Sequence, residues 1–343
     1  MSLKVAFDVA CLSQSRAGTA RVARGLLAAL GQIETVDVVP IGDGEYRDRG
    51  SVAQRSTALA QDLFWYASGR SRGAARTVGA DLVHFPTYRG PVRAGSPPTV
   101  VTVLDLAVLR EPAWFPAWAR IHARTLMRPT VRAAARVIAI SQQTADDVVN
   151  LLGVERELVR VVECGIEKVF SLPPNARDEH ALPYLLGVGT PEPRKNLPRL
   201  LDAFALVRDA GGPQRLVLVG GDGWGSVDLK PQAGVELAGR VTDARLRDLY
   251  AGAEALVFPS LWEGFGLPVG EALAAGCRVV CSDLAVLREV AGEFATYVDP
   301  RSGIAIAAGI QRALEEPPPT PMCVFTWERA ARLTVEAWRE VVG

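Results

Sequence analysis

The sequence predicts an α/β protein built from two doubly wound, Rossmann-like domains in tandem. Three observations carry this expectation. Short apolar runs of strand length alternate with longer stretches of helical period along the whole chain. Those runs are nearly continuous rather than alternating with polar residues, the pattern of strands covered on both faces of a parallel sheet. A chain of 343 residues, 49% hydrophobic and 22% charged, also holds two packed cores of ordinary size.

In chain order, the first set of predicted strands is Lys4–Val9, Val36–Pro40, Leu82–Phe85, Thr99–Leu104, Arg136–Ile140 and Arg160–Val162. The second set is Tyr184–Val188, Arg215–Val219, Val235–Leu237, Ala255–Phe258, Arg278–Cys281 and Thr296–Val298. Helical periods fall between them at Ala20–Leu30, Ala119–Ala135, Thr144–Leu152, Leu197–Ala210, Asp243–Ala251 and Pro268–Ala275. Phe170–Leu182, rich in proline and charge and without apolar period, reads as the linker. Pro317-Pro318-Pro319-Thr320-Pro321 is a second break, followed by Trp327, Ala331, Val335 and Trp338 at helical spacing. The expected domains are therefore 1–172 and 183–320, with 321–343 as a terminal helix. By pattern alone that helix packs on either domain.

Formal charge is zero overall but uneven. Residues 1–172 carry 21 basic against 16 acidic side chains, net +5, and the remainder 17 against 22, net −5. Such a split fits different partners for the two halves, and it is also ordinary variation. The five cysteines lack metal or disulfide spacing, and Cys277 and Cys281 flank a strand-like run, so buried free thiols in a reducing compartment are expected. The first residues have no signal-peptide pattern, and no run reaches the roughly 18 apolar residues of a membrane span. A soluble cytoplasmic protein is expected, peripheral at the inner membrane face at most, with no nucleic-acid partner.

The most informative segment is Glu263-Gly264-Phe265-Gly266-Leu267-Pro268-Val269-Gly270-Glu271. Two carboxylates bracket a glycine-rich turn between a strand and a helix. Glycines let backbone amides approach a ligand, Pro268 suits a first helical turn, and free amides at a helix start bind phosphate. Carboxylates accept hydrogen bonds from vicinal hydroxyls. A diphosphate flanked by sugars satisfies all of these groups. A second segment, Gly187–Leu197, ends a strand, turns on glycine and sets Arg194 and Lys195 before a helix. Two cations there can grip a diphosphate, one as a fork and one as a point charge, or stand solvated before the helix.

Weaker signals accompany them. Gly18 lies in a polar strand-to-helix turn with Thr19 as a candidate cap. No complete GxGxxG and no phosphate-binding GxxxxGK[ST] occurs. Asp105 ends an apolar run, where either a site carboxylate or a turn cap belongs. Val219–Gly225 offers a wall to a nucleoside or a plain turn. Arg120, Arg124, Arg128, Arg132 and Arg136 recur at four-residue steps beside Trp114, Phe115 and Trp118, with Pro129 interrupting. That ridge suits either an anionic membrane surface or solvent. The three histidines form no metal or triad pattern; His84 reads as packed at a strand end.

Together the Gly18 loop, Asp105, the Arg194-Lys195 pair and the Glu263/Glu271 turn resemble the retaining glycosyltransferases of family 4, with the GT-B fold. The resemblance implies two Rossmann-like domains facing a cleft, with the terminal helix crossing back to the first. It implies that Glu271 holds ribose hydroxyls. Glu263 with the amides of Gly264, Phe265, Gly266 and Leu267 would hold the transferred sugar and diphosphate. Arg194 and Lys195 would neutralise the leaving group in place of a metal, and Gly18 would approach the phosphates. Two departures stand out: Leu104 replaces the histidine common before the aspartate matching Asp105, and Cys164-Gly165 replaces an Asn-Gly pair. The first weakens a proton-handling or sugar-binding role for Asp105; the second is expected to be structural.

The implied reaction moves a hexose from a GDP- or UDP-sugar to a saccharide, lipid-linked or small-molecule hydroxyl with retained configuration. No nucleophile pairs with a base, so no covalent sugar–enzyme intermediate is expected. A sugar-nucleotide epimerase and a catalytically silent nucleotide-sugar binder are the alternatives.

Overall fold

A computed structural model describes residues 2–13, 18–44, 64–66, 69–174, 182–221 and 232–343. The chain divides into two compact units. One comprises Met1–Pro112, Ala117–Gly165 and Phe325–Gly343; the other comprises Ala113–Pro116 and Ile166–Val324.

The first unit carries a six-stranded parallel sheet in the order β2-β1-β3-β4-β5-β6. Its strands are β1 (Leu3–Asp8), β2 (Val36–Ile41), β3 (Leu82–Phe85), β4 (Thr99–Val103), β5 (Arg136–Ala139) and β6 (Val159–Val161). All four residues of β3 and all five of β4 are buried. One face packs Val83, Phe85, Val101, Val103 and Val137 against Met127, Val131, Val148 and Leu152. The other carries His84, flanked edge-on by Phe7 and Trp338. Both faces being covered explains why the strands read as unbroken apolar runs.

The terminal helix Trp327–Val342 belongs to this unit and packs on the helix Gly18–Leu30 and on β3 and β5. Thr326 caps it by accepting the Arg329 amide at 3.2 Å. Trp338 is fully buried and donates its indole N–H to His84 Nδ1 at 3.2 Å. His84 Nδ1 therefore accepts, and Nε2–H donates to Thr102 Oγ1 at 2.8 Å. Burial pushes the His84 pKa down to about 3, so the ring stays neutral in its donor–acceptor role. Trp327 seats on two glycines. A Cβ on Gly25 would stand 2.2 Å from its ring, and one on Gly165 2.3 Å from its backbone nitrogen.

The second unit holds β7 (Tyr184–Val188), β8 (Arg215–Val219), β9 (Val235–Gly239), β10 (Ala255–Phe258), β11 (Val279–Ser282) and β12 (Thr296–Val298). Its parallel order is β12-β11-β10-β7-β8-β9, the 6-5-4-1-2-3 order of a dinucleotide-binding half-pair. Leu185, Leu216, Leu218, Val257 and Val280 pack against Leu200, Phe204, Ile306 and Ile310 from two helices. β9 lies at the edge and exposes Glu236 and Leu237.

Several expectations change in detail. The predicted helix Ala119–Ala135 is three pieces: Ala117–His122, a wide π-turn Ala123–Met127, and Arg128–Ala133. Pro129 has no N–H to continue the ladder, as its place in the sequence required. Arg128, Arg132 and Arg136 do not form an open ridge: they donate to the carbonyls of Leu151, Leu152 and Glu157. Phe170, read as the start of the linker, is fully buried in the second unit, edge-on to Tyr250 at 5.9 Å. Gly18 and Thr19 are already helical; Ser15, Arg16 and their neighbours 14–17 lie outside the described residues, as do 222–225 of the second glycine cluster. Cys11, Cys164, Cys277 and Cys281 are buried free thiols and Cys323 is exposed.

Gly165→Ala forces a methyl into backbone that has no soft end to move. We expect a loss of about 1–3 kcal/mol, read as a lower urea midpoint. An unchanged midpoint would contradict the seat described for Trp327.

Candidate functional site

β7 and β10 are neighbours in the second sheet. From β7 the chain crosses to β8 on one side, and from β10 to β11 on the other. Open α/β sheets bind ligands at the carboxyl ends of strands flanking such a reversal. The loop after β7 carries Arg194 and Lys195, and the loop after β10 carries Glu263. The sheet order thus juxtaposes segments about seventy positions apart in sequence.

The two loops are stitched together before any charge is considered. Asn196 adopts a left-handed conformation (φ 57°) between the short turn Pro193–Lys195 and the helix Leu197–Asp209. Asparagine tolerates this region better than most residues. Its amide Nδ2 donates to the carbonyls of Pro259 at 3.0 Å and Pro300 at 2.7 Å. The Leu261 N–H donates to the Arg194 carbonyl at 2.7 Å. A Cβ on Gly220 would stand 2.1 Å from the Gly189 carbonyl oxygen, so glycine is required where β8 ends beside the β7 loop.

Four ionic side chains form one cluster. Glu263 Oε1 accepts Lys195 Nζ at 2.6 Å, and its Oε2 accepts Arg194 Nη1 at 3.1 Å. Arg194 Nη2 reaches Glu192 Oε1 at 2.8 Å. Glu192 is 1% exposed and Glu263 5%. Lys195 Nζ also lies 4.9 Å from the centre of the Phe258 ring, within cation–π range. Burial works to raise the Glu263 pKa, but Lys195 and Arg194 together outweigh it and hold the carboxyl below its ordinary 4.5. Burial draws the Lys195 pKa down, opposed by Glu263.

The glycine turn then delivers the helix Leu267–Ala274. Its cap is Gly266, left-handed at φ 97°, and no side chain caps its first turn. A Cβ on Gly266 would also meet Leu287 Cδ2 at 2.5 Å. Glu271 is 2% exposed and accepts the Tyr250 hydroxyl at 3.0 Å. Phe265 is buried.

Of the predicted residues, the structure brings Arg194, Lys195 and Glu263 into direct contact. It places Gly264, Phe265, Gly266, Leu267 and Glu271 on the segment that follows. Gly18 and Asp105 belong to the other unit. Gly18 opens its helix, and a Cβ there would meet nothing within 4 Å. Asp105 follows β4 and accepts the Ala107 amide at 3.1 Å, the turn-forming alternative for this residue. Sequence reasoning gave no role to Glu192 or Tyr250. Glu192 lies within Gly187–Leu197, but its partner has no sequence signal; Tyr250 meets Glu271 from a separate helix, with no local signal either. Among the described residues no group of three or more His, Cys, Asp or Glu is placed to hold a metal.

Two family models match the chain: Glycosyltransferase Family 4 over residues 17–169, and Glycosyl transferases group 1 over 174–330. The chain belongs to glycosyltransferase family 4. This enzyme is 27% identical over 295 residues to the O-antigen chain mannosyltransferase B of Escherichia coli, a match covering 79% of this chain and 77% of that one. It is 28% identical to the Escherichia coli serotype-specific mannosyltransferase WbdA over 71% of this chain, but that match spans 34% of the longer relative. Among solved structures it is similar to Anabaena HepE in complex with UDP and glucose, with a TM-score of 0.66 at 18% identity, covering 98% and 95% of the two chains. The fold is that of the GT-B glycosyltransferases, with two Rossmann-like domains.

A carboxyl whose native pKa is depressed contributes stability above its unfolded value and loses it as pH falls through the native one. For Glu263 that window opens at about pH 4.5 and extends below it. Urea unfolding measured between pH 6 and pH 3 should therefore show a shallower acid loss in Glu263→Gln than in the unaltered enzyme; parallel curves would remove Glu263 as a source of the acid limb.

Proposed function

We propose that this glycosyltransferase moves a hexose, of mannose or glucose type, from a GDP- or UDP-sugar to a hydroxyl of a saccharide, lipid-linked or small-molecule acceptor, with retention at the anomeric carbon. The observation that carries the reading is the Arg194–Lys195–Glu263 cluster at the strand reversal of the second sheet, next to a glycine-capped helix start. The relatives named as mannosyltransferases and the UDP and glucose held by HepE support a hexose nucleotide as donor.

In this reading the diphosphate competes with Glu263 for the two cations. Glu263 then turns to sugar hydroxyls, while the amides of Gly264 to Leu267 take phosphate oxygens. Glu271, oriented by Tyr250, takes the ribose hydroxyls. The bond from the anomeric carbon to the leaving phosphate oxygen breaks as the acceptor oxygen bonds on the same face. The acceptor proton passes to the departing phosphate, and Arg194 and Lys195 carry the charge that a metal would otherwise carry. Rate enhancement rests on positioning and on charge stabilisation. Gly18 keeps the role the resemblance implies, a close approach to phosphate, and Asp105 a place among the reacting groups, although it follows Leu104 and its carboxylate accepts the Ala107 amide.

A thermal-shift series with GDP-mannose, UDP-glucose, GDP and UDP should raise the melting temperature with at least one of them, because a ligand of the folded state alone stabilises it. No shift with any member would sink the reading. With the active donor, Arg194→Ala or Lys195→Ala should lower kcat by about 100-fold or more; near-normal turnover in both variants would remove them from the reaction.

The same reading places the enzyme in the cytoplasm, peripheral to the inner membrane face. Trp118 and Ile121 are 56% and 62% exposed, with exposed Arg120 and Arg124 beside them on one short stretch. No described helix is long and apolar enough to cross a membrane. Flotation with vesicles containing anionic lipid should carry the enzyme, and Trp118→Ala with Arg124→Ala should release it; equal flotation with purely zwitterionic vesicles would contradict the charge component.

A further inference from the structure

We propose that Glu192 is a positioning residue that orients the Arg194 guanidinium toward the terminal phosphate of the donor's diphosphate. The inference rests on the reading of this site as a nucleotide-sugar site. Glu192 stands between Pro191 and Pro193. A proline fixes its own φ, and the residue before a proline is held to extended backbone. Glu192 is accordingly extended at φ −139°, ψ 150°, immediately before the turn Pro193–Lys195. Its carbonyl accepts the Lys195 N–H at 3.0 Å, and its carboxylate reaches Arg194 Nη2 at 2.8 Å. One rigid residue thus sets the backbone of one cation and the side chain of the other.

The division of Arg194's hydrogen bonds gives this contact its meaning. Nη1 faces Glu263 Oε2 at 3.1 Å and the Trp262 carbonyl at 3.4 Å, while Nη2 faces Glu192. Glu263 is the partner that a phosphate oxygen replaces in the proposed reaction. When it leaves, Nη2 keeps Glu192, and the planar fork stays aimed. Glu192 is 1% exposed, and a carboxylate so buried is costly unless its charge is matched. With two carboxylates against two cations the cluster is balanced. The ligand's negative charge is then received by cations already fixed in direction, rather than by mobile side chains that must first be ordered.

The competing role is purely structural, a buried pair that only closes the loop. The two are separated by the preference for a nucleoside diphosphate over its monophosphate, since only the former presents the phosphate Arg194 meets. Calorimetric affinities of the full chain for GDP and GMP, UDP and UMP, and ADP and AMP give that ratio. Glu192→Gln should lower the ratio by about tenfold while leaving monophosphate affinity near normal. In the Arg194→Ala background the same change should have no further effect on it. If Glu192→Gln does not fold, Glu192→Asp, which keeps the charge but withdraws it by one methylene, should lower the ratio to a smaller extent. A ratio unchanged in the Glu192 variants, a fall in both affinities alike, or an equal fall in the Arg194→Ala background would overturn the inference and leave the function standing. Failure of the unaltered enzyme to bind any of the three diphosphates would overturn the function reading, and the inference with it.

Discussion

The charge balance around Glu263 is the constraint on which the site depends. A carboxylate 5% exposed is tolerated only beside cations, and two of them reach it at 2.6 and 3.1 Å. Removing one partner of a buried pair costs about 3–5 kcal/mol, because the remaining charge is stranded. The cluster is therefore held together by its own charges. The same fact makes it responsive: an anion of higher charge density than a carboxylate, arriving at the same cations, has a ready-made site and releases a carboxylate as it binds. Under the proposed reading, the stability of the cluster and the recognition of a diphosphate draw on the same two cations.

Sheet topology supplies what charge alone does not. Arg194 and Glu263 meet because β7 and β10 are hydrogen-bonded neighbours whose outgoing connections diverge. Divergence opens a crevice at the strand ends that no crossover helix fills. Asn196 then fixes the spacing, tying the first loop to carbonyls at Pro259 and Pro300. These are backbone acceptors, so the tie depends on the path of the chain rather than on other side chains. In the first unit, His84 plays a comparable organising part, joining Thr102 on β4 to Trp338 on the terminal helix.

Much of this was legible in the sequence, for physical reasons that also mark where legibility ends. Each of the twelve strands among the described residues lies where an apolar run predicts it, to within a residue or two. Parallel strands covered on both faces must be apolar throughout, so their signal is strong even at four residues. Helices were less uniform. Arg70–Thr77 has no apolar period, because it is polar and contains Gly73; Gly303–Glu315, with two glycines and three isoleucines, fits strand and helix patterns alike. The residue types at the site were apparent from their setting between strand, glycine and helix. Their pairing was not. That Glu263 faces Lys195, that Glu192 takes Arg194 and that Tyr250 takes Glu271 are long-range or side-chain facts for which a linear sequence has no signature.

Helix starts in this fold are of two kinds. Ser141, Thr242, Ser302 and Thr326 close the helices that follow them with a hydroxyl accepting a first-turn amide. The two helices that begin at the strand reversal start otherwise, from left-handed Asn196 and Gly266 with no side-chain cap. Gly69 begins the helix Arg70–Thr77 in the same way, so an uncapped start alone does not define a site. What distinguishes the reversal is the coincidence of such starts with two half-buried cations already held by buried carboxylates. Amide dipoles and cations then act in the same direction on an incoming anion. The carboxylates between them keep the cluster from being an uncompensated positive hole. A loop junction that buries Glu192 and Glu263 beside two half-buried cations needs that internal balance of charge, and under the proposed reading this is why acids stand in a phosphate site.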